Sequence, residues 1–178
     1  MTVYAIIRQD IHTEKIIKEK FNLERFSIFT AGTVKNFIRS ICKDISKRLP
    51  KDAELREIRE KMNQDTNIKI IIQVKAENRI FVITDGDYNS SVAYKLMGKC
   101  FESNNYDGLI NEYKNWETKD QLKKIEGELE KCNAIVLEGL SNILERGESL
   151  SDLVAKSENL SLQTKILFKA AKKKNSCC

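Results

Sequence analysis

The stretch "NILERGESLSDLV", residues 142–154, places an arginine in line with apolar residues at helical spacing. Ile143, Leu150 and Leu153 fall where an amphipathic helix buries its side chains, and Arg146 lies on the same face. A guanidinium keeps its proton, so burying it without acceptors costs several kcal/mol. The stretch therefore predicts one of two arrangements: Arg146 reaches solvent at the edge of the stripe, or it meets hydrogen-bond acceptors from partner helices.

The apolar stripe extends in both directions as a seven-residue repeat, which we call the seam. Steps of three and four residues pass through fifteen positions, eleven of them apolar. Besides Arg146 these positions are Leu122, Ile125, Leu129, Cys132, Val136, Gly139, Ile143, Leu150, Leu153, Ser157, Leu160, Thr164, Leu167 and Ala171. The repeat predicts a coiled-coil helix about 75 Å long. Its small residues leave room for partner side chains, so we expect the segment to fold on binding. The alternative is a helix docked on the first half of the chain.

The composition is that of a cytoplasmic protein without a disulfide framework. Of the 178 residues, 41% are hydrophobic and 32% are charged. The five cysteines are odd in number and form no C-x-x-C pair, which favours reduced thiols over disulfides or zinc. No signal peptide opens the sequence, and its most apolar stretch, residues 68–74, is too short to span a membrane.

No catalytic or metal-binding residues are expected. The only histidine, His12, lies in a predicted turn, and no phosphate-binding loop of the G-x-x-x-x-G-K-[ST] type is present. Cys42 and Cys100 fall in predicted amphipathic helices and are interpreted as small core residues, and Cys132 as a seam residue. The sequence thus predicts a binding protein that needs no cofactor.

Basic charge is concentrated at the C-terminal end. Five of the 31 basic residues and none of the 26 acidic ones lie in residues 159–178, so the first 158 residues are balanced. A balanced body gives a nucleic acid no basic face to bind. Lys172, Lys173 and Lys174 are instead expected to face an acidic membrane surface; they also suit the C-terminal end of a helix.

The first half mixes strand and helix signals, which indicates an α+β domain. Strands are predicted at residues 2–8, 15–21, 67–75 and 79–85, and helices at residues 33–49 and 90–101. Ser90 or Ser91 is expected to cap the second of these helices. Residues 53–62 are ambiguous and predict a helix by local propensity alone.

Several phrases together resemble the longin-domain R-SNAREs, and most closely their lipid-anchored, Ykt-type synaptobrevin homologues. "LERGESLSDLVAKSENL" (144–160), followed by "KAAKKKNSCC" (169–178), is similar to the arginine-bearing SNARE motif of that family. "RFSIFTAGTVKNFI" (25–38) and "ITDGDYNSSVAYKLM" (83–97) are similar to its longin domain, although Asn89 stands where the family usually has proline. The resemblance covers essentially the whole chain.

The resemblance implies a fold and a division of the chain. It implies a longin, profilin-like domain over residues 1–114, in which helices flank an antiparallel sheet. A linker at residues 115–120, the SNARE motif at 121–175 and a lipidation tail at 176–178 would follow. Val34, Phe37, Ile38 and Ile41 form one face of the first predicted helix. This face is the candidate groove through which the longin domain regulates the motif, or it simply packs on the sheet.

The resemblance also implies partners and a mechanism. Arg146 would face three glutamines from three Q-SNARE helices in a central ionic layer, and bundle formation would drive vesicle fusion. A SNAP adaptor and the N-ethylmaleimide-sensitive fusion ATPase would then disassemble the bundle. Two alternatives remain: a self-associating coiled-coil tether, and a membrane-surface adaptor that does not act in fusion.

Covalent lipids are implied at the C-terminal end. Cys177 would carry a palmitoyl group and Cys178 a prenyl group. Family members end in C-C-a-a-X, whereas this sequence stops at Cys178. We interpret this as trimming of the prenylation box, and the alternative is a different double-cysteine signal. The protein would cycle between the cytoplasm and the cytoplasmic face of Golgi, endoplasmic reticulum, vesicle and endosomal or vacuolar membranes.

Overall fold

The described part of the chain forms a mainly antiparallel sheet with helices on both faces. This computed structural model describes residues 2–26, 28–49, 51, 55–61, 67–114 and 135–138. The strands are β1 (Val3–Asp10), β2 (Ile16–Phe21), β3 (Arg56–Lys61), β4 (Asn67–Lys75), β5 (Asn78–Asp85) and β6 (Ile135–Glu138). The helices are α1 (Ile28–Arg48), α2 (Ser90–Glu102) and α3 (Tyr106–Lys114). The predicted α+β class is confirmed.

The sheet has the strand order β2-β1-β5-β4-β3-β6. The first five strands pair antiparallel with their neighbours, and β6 pairs parallel with β3. β1 and β5 lie centrally and are buried on both faces, which explains their nearly continuous apolar sequences. Side chains alternate between the two faces, so Phe81 and Ile83 enter one core while Ile80 and Val82 enter the other.

Helix α1 covers one face of the sheet. Phe37, Ile38, Ile41 and Ile45 are buried against it, at the helical spacing that the sequence predicts. Cys42 is buried among them, and its burial raises the pKa of its thiol. The predicted role of Cys42 as a small core residue is confirmed.

Helices α2 and α3 cover the other face. The cap of α2 is Asn89, whose side chain accepts a hydrogen bond from the Val92 amide at 3.2 Å, so the predicted cap at Ser90 or Ser91 is wrong. Cys100 is buried beneath α2, as predicted, and burial raises the pKa of its thiol to about 12. Helix α3 was missed, although the Tyr88 hydroxyl ties it to the core by donating to the Tyr113 carbonyl at 2.8 Å.

The helix predicted over residues 53–62 is wrong, because β3 occupies residues 56–61. Its residues pair with β4 from Arg56, opposite Ile72, to Lys61, opposite Asn67. Glu57 and Ile58 are both 0% exposed and point to opposite faces of the sheet. Pairing with β4 thus outweighs a local preference for helix.

Candidate functional site

Strand β3 is extended by four residues from the predicted SNARE motif. Ile135, Val136, Leu137 and Glu138 pair in parallel with Arg56, Glu57, Ile58 and Arg59, respectively. The heptad pattern predicts a helix across this stretch, with Val136 on the seam, but these four residues form a strand. The alternative prediction, a helix docked on the first half of the chain, is therefore wrong for residues 135–138, whereas the helix expected among partner helices stays a prediction.

The pairing is explained by the edge of the sheet and by the composition of β6. Without β6, β3 would end the sheet and leave a row of backbone N–H and C=O groups unpaired. An added strand satisfies those groups through main-chain hydrogen bonds, whatever its side chains. The sequence Ile-Val-Leu suits this role because branched apolar residues favour strands. The edge of β3 is therefore a binding site for an extended segment, here one from the same chain.

A buried carboxylate fixes β3 against α2. Glu57 accepts hydrogen bonds of 2.6 Å from the Tyr94 hydroxyl and 2.6 Å from the Arg59 Nε. Beside it, the Lys69 ammonium donates to the Tyr88 carbonyl at 2.6 Å and to the Ser90 hydroxyl at 3.1 Å. These bonds connect α2 to β3, the strand that accepts β6, and to the neighbouring strand β4.

The charge state of Glu57 follows from this environment. Burial raises the pKa of its carboxyl, but hydrogen bonds from Tyr94, Arg59 and Ser90, together with the charge of Lys69, outweigh burial and leave the pKa lowered. Burial also lowers the pKa of Lys69, although the charge of Glu57 opposes that change. Glu57 is therefore ionised in the folded protein at neutral pH.

Replacing Glu57 with glutamine is expected to lower the stability of the full chain by about 1–3 kcal/mol at pH 7. Because the folded-state pKa lies below the ordinary value of 4.5, the stabilisation is fully present above pH 4.5 and is lost as the pH falls through the folded-state pKa. Urea unfolding between pH 3 and 7 tests this, with Glu102→Gln, on an exposed carboxylate, as the control. A stability difference between wild type and Glu57→Gln that does not shrink below pH 4.5 would contradict it.

The predicted groove face of α1 packs on the sheet, and it also lines a cavity. Phe37, Ile38 and Ile41 are 4%, 7% and 2% exposed and pack on the sheet, while Val34 is half-buried at the margin of the core. The same four side chains line a cavity of about 100 Å³. Its other walls come from Cys42, already predicted as a core residue, and from residues that the sequence pattern did not mark, namely Tyr4, Phe26, Ile68, Ile70 and Ile83. Side chains alternate between the two faces of a strand, and this rule would have placed Ile68, Ile70 and Ile83 on the side of the sheet that α1 covers.

Most of the predicted site residues lie outside the described residues. These are the seam positions other than Val136, with Arg146 among them, the basic residues Lys172, Lys173 and Lys174, and the lipidation sites Cys177 and Cys178. The predicted linker at residues 115–120 lies outside them as well. Among the predicted site residues, the structure thus describes the groove face on α1 and one seam residue, Val136 on β6.

None of the three helices is both long and apolar enough to cross a bilayer, judged over the part of the chain that the structure describes. Within the same part, no cluster of three or more histidine, cysteine, aspartate or glutamate side chains is placed to hold a metal ion.

Comparison with known proteins gives matches over both halves of the chain. Residues 121–177 match the synaptobrevin family. The chain is 28% identical to the synaptobrevin homolog YKT6 of Debaryomyces hansenii, over 100% of this chain and 98% of that protein. It is 24% identical to ykt6 of Schizosaccharomyces pombe, over 98% and 95%. With YKT6 of Saccharomyces cerevisiae it shares 32% identity over 54% of this chain and 60% of that protein.

Proposed function

We propose, on the premise that this chain belongs to the synaptobrevin homologues of the Ykt6 type, that it drives the fusion of vesicles with their target membranes. Members of this family are SNARE proteins with an R-SNARE role in membrane traffic, and they are not enzymes. The observation that carries the proposal is the synaptobrevin match over residues 121–177, which contains the seam and Arg146.

The work of fusion comes from folding the seam. Residues 121–175 assemble with three Q-SNARE helices, and the apolar seam positions are buried between the four helices of the bundle. Arg146 donates to carbonyl oxygens of three partner glutamines in one central layer, which removes the cost of burying its charge and fixes the register. A SNAP adaptor and the N-ethylmaleimide-sensitive fusion ATPase separate the bundle for another round.

The longin domain regulates assembly by holding part of the motif as a strand. Residues 135–138 pair with β3 in this structure, and the same residues cannot be helical in a bundle at the same time. The equilibrium between the two states sets the fraction of chains ready to assemble, and the apparent affinity for Q-SNAREs falls by that fraction. The apolar cavity beside Phe37 is a second site on the domain for apolar parts of the chain.

Membrane attachment completes the proposed mechanism. Palmitoylation of Cys177 and prenylation of Cys178 supply two lipid chains, which hold a protein on a bilayer where one chain does so only marginally. Lys172, Lys173 and Lys174 strengthen the contact by about 1 kcal/mol each next to anionic lipids. The protein then cycles between the cytoplasm and Golgi, endoplasmic reticulum, vesicle and endosomal or vacuolar membranes.

Mixing the full chain with three Q-SNARE helices is expected to raise its helical content strongly, and Arg146→Leu is expected to weaken the bundle by about 3–5 kcal/mol. The leucine would leave three glutamine side chains buried without their donor. Circular dichroism during thermal melting of the mixture measures both effects. Replacing the three partner glutamines with leucine should largely offset the substitution.

Lys169→Leu is the matched control, because it also exchanges a basic residue for leucine but lies on the side of the predicted helix opposite the seam. High helicity without partners, unchanged on mixing, would favour the self-associating tether. If the bundle formed by the Arg146→Leu variant melts at the same temperature as the bundle of the unmodified chain, Arg146 does not face the glutamines.

A further inference from the structure

Two exposed isoleucines mark the end of the β1–β2 hairpin. Ile16 and Ile17 are 42% and 57% exposed, which marks them out among the large hydrophobic side chains whose exposure the structure describes. Successive residues of a regular strand point to opposite faces, but β2 has a bulge here. Arg8 pairs with Lys18 and Gln9 pairs with Ile16, so Ile17 has no partner across β1. The bulge leaves two consecutive isoleucines in contact with water.

A groove with a basic rim opens beside these isoleucines. It has a volume of about 520 Å³ and lies between the hairpin and α1, with Lys15, Ile16, Arg39 and Lys43 among its walls. Arg39 and Lys43 belong to a row of basic residues spaced by four along one side of α1. The row consists of Lys35, Arg39, Lys43 and Lys47. We call the row, together with Lys15, Ile16 and Ile17, the hairpin face.

The hairpin face keeps a net positive charge. Glu19 forms ion pairs with Arg39 and with Lys35, and Glu14 lines the groove. Hydrogen bonding from Arg39 lowers the pKa of Glu19, so this carboxylate is charged at neutral pH. Five basic side chains, namely Lys15 and the four of the row, therefore stand against two carboxylates. The face will attract anions.

Hydrogen bonds hold the hairpin in place against α1. The Gln9 side chain donates to the Glu14 carbonyl at 2.8 Å and accepts from the Ser46 hydroxyl of α1 at 2.6 Å. Asp10 accepts from the backbone amides of His12 at 3.0 Å and Thr13 at 2.7 Å. The isoleucines and the basic row thus have fixed relative positions without a ligand.

We propose that the hairpin face docks the longin domain on an anionic phospholipid surface. Ile16 and Ile17 enter the boundary between headgroups and acyl chains, and the lysines contact lipid phosphates, which is the combination of apolar burial and basic charge that binds proteins to membrane surfaces. Together with the lipidated end of the chain, such a contact gives the domain a defined orientation on the bilayer.

Other occupants fit the hairpin face less well. A strand added to the free edge of β2 would meet the bulge, which interrupts regular pairing. A second copy of the chain would bring two positive faces together. An acidic peptide seated in the groove would cover Ile16 but leave Ile17 in water, because Ile17 does not line the groove. A bilayer surface covers both isoleucines at once.

Vesicle flotation of the full chain without lipid modification tests the proposal. All proteins carry Lys172→Gln, Lys173→Gln and Lys174→Gln, so that the basic tail does not contribute. We expect binding to vesicles of phosphatidylcholine with about 30% phosphatidylserine, and little to phosphatidylcholine alone. Lys15→Gln with Lys43→Gln should weaken binding about 25-fold, at about fivefold for each lysine. Ile16→Ser with Ile17→Ser should weaken it about tenfold or more.

The matched control is Lys99→Gln with Lys114→Gln, which removes the same charge from the α2–α3 layer on the opposite side of the sheet and should bind as the parent does. Circular dichroism of each variant verifies that it folds. Equal binding by the hairpin and control variants would overturn the proposal, because charge alone would then explain it. Absence of binding to anionic vesicles would also overturn it, leaving an acidic peptide as the occupant.

Discussion

A full chain with Arg59→Cys and Glu138→Cys, once oxidised, is expected to stop assembling with the three Q-SNARE helices. Residues 59 and 138 are partners across the parallel ladder between β3 and β6. Adjacent strands lie about 4.8 Å apart, and a disulfide can span that distance. Paired residues also share a face of the sheet, so the two thiols can meet. The bond would hold residues 135–138 in a strand, and a bundle needs those residues as a helix.

The experiment requires a background in which Cys132, Cys177 and Cys178 are serine. Cys42 and Cys100 can stay, because both are buried. Arg59→Cys and Glu138→Cys alone, treated with the same oxidant, are the controls, and reduction of the double variant should restore assembly. If the oxidised chain assembles at the rate of the reduced one, strand pairing does not limit assembly and the proposed regulation fails.

The sequence pattern and the structure give different conformations for residues 135–138. The heptad spacing that places Val136 on the seam predicts the helix that these residues would form among partner helices, which would bury the seam. The alternative strand depends on the free edge of β3, which lies some 75 residues earlier in the sequence and leaves no periodic signal. The same four residues can thus pair with a sheet, although their heptad pattern predicts only a helix in a bundle.

The central strands were predictable for the opposite reason. β4 occupies residues 67–75 as predicted, and β5 begins one residue before its predicted start. Both strands are buried on both faces, and a continuous apolar run in the sequence is enough to predict such a strand. β3 has no such run: Glu57 is buried among Tyr94, Arg59 and Lys69, which the fold brings together. By local propensity alone, a strand that is rich in charged residues and contains one buried carboxylate looks the same as a surface helix.

The groove face was predictable as a face but not in its role. The spacing of Val34, Phe37, Ile38 and Ile41 correctly places all four on one side of α1, towards the sheet. The cavity they line depends equally on Tyr4 and Phe26, which belong to another strand and to the loop before the helix. Only the assembled fold shows that this face of α1 packs on the sheet and also lines a cavity.

Phe37→Ala is expected to lower the free energy of unfolding by about 3–5 kcal/mol. Phe37 is 4% exposed and packs in the core between α1 and the sheet. Phe37 also lines the existing cavity of about 100 Å³. Removing the ring would therefore enlarge this cavity, and a larger cavity costs more stability. Since a domain has a total stability of about 5–15 kcal/mol, the loss would be a large part of it. Urea unfolding of the full chain, followed by circular dichroism, measures the change.

Val34→Ala is the comparison that separates the two roles of this face. Val34 is half-buried and lines the same cavity, so its truncation should cost about 1 kcal/mol, close to the value for a partly buried methyl pair. A similarly small cost for Phe37→Ala would mean that the ring contributes little to the core. That outcome would favour the proposed groove role of Phe37, in which its ring contacts apolar parts of the predicted SNARE segment instead of stabilising the core.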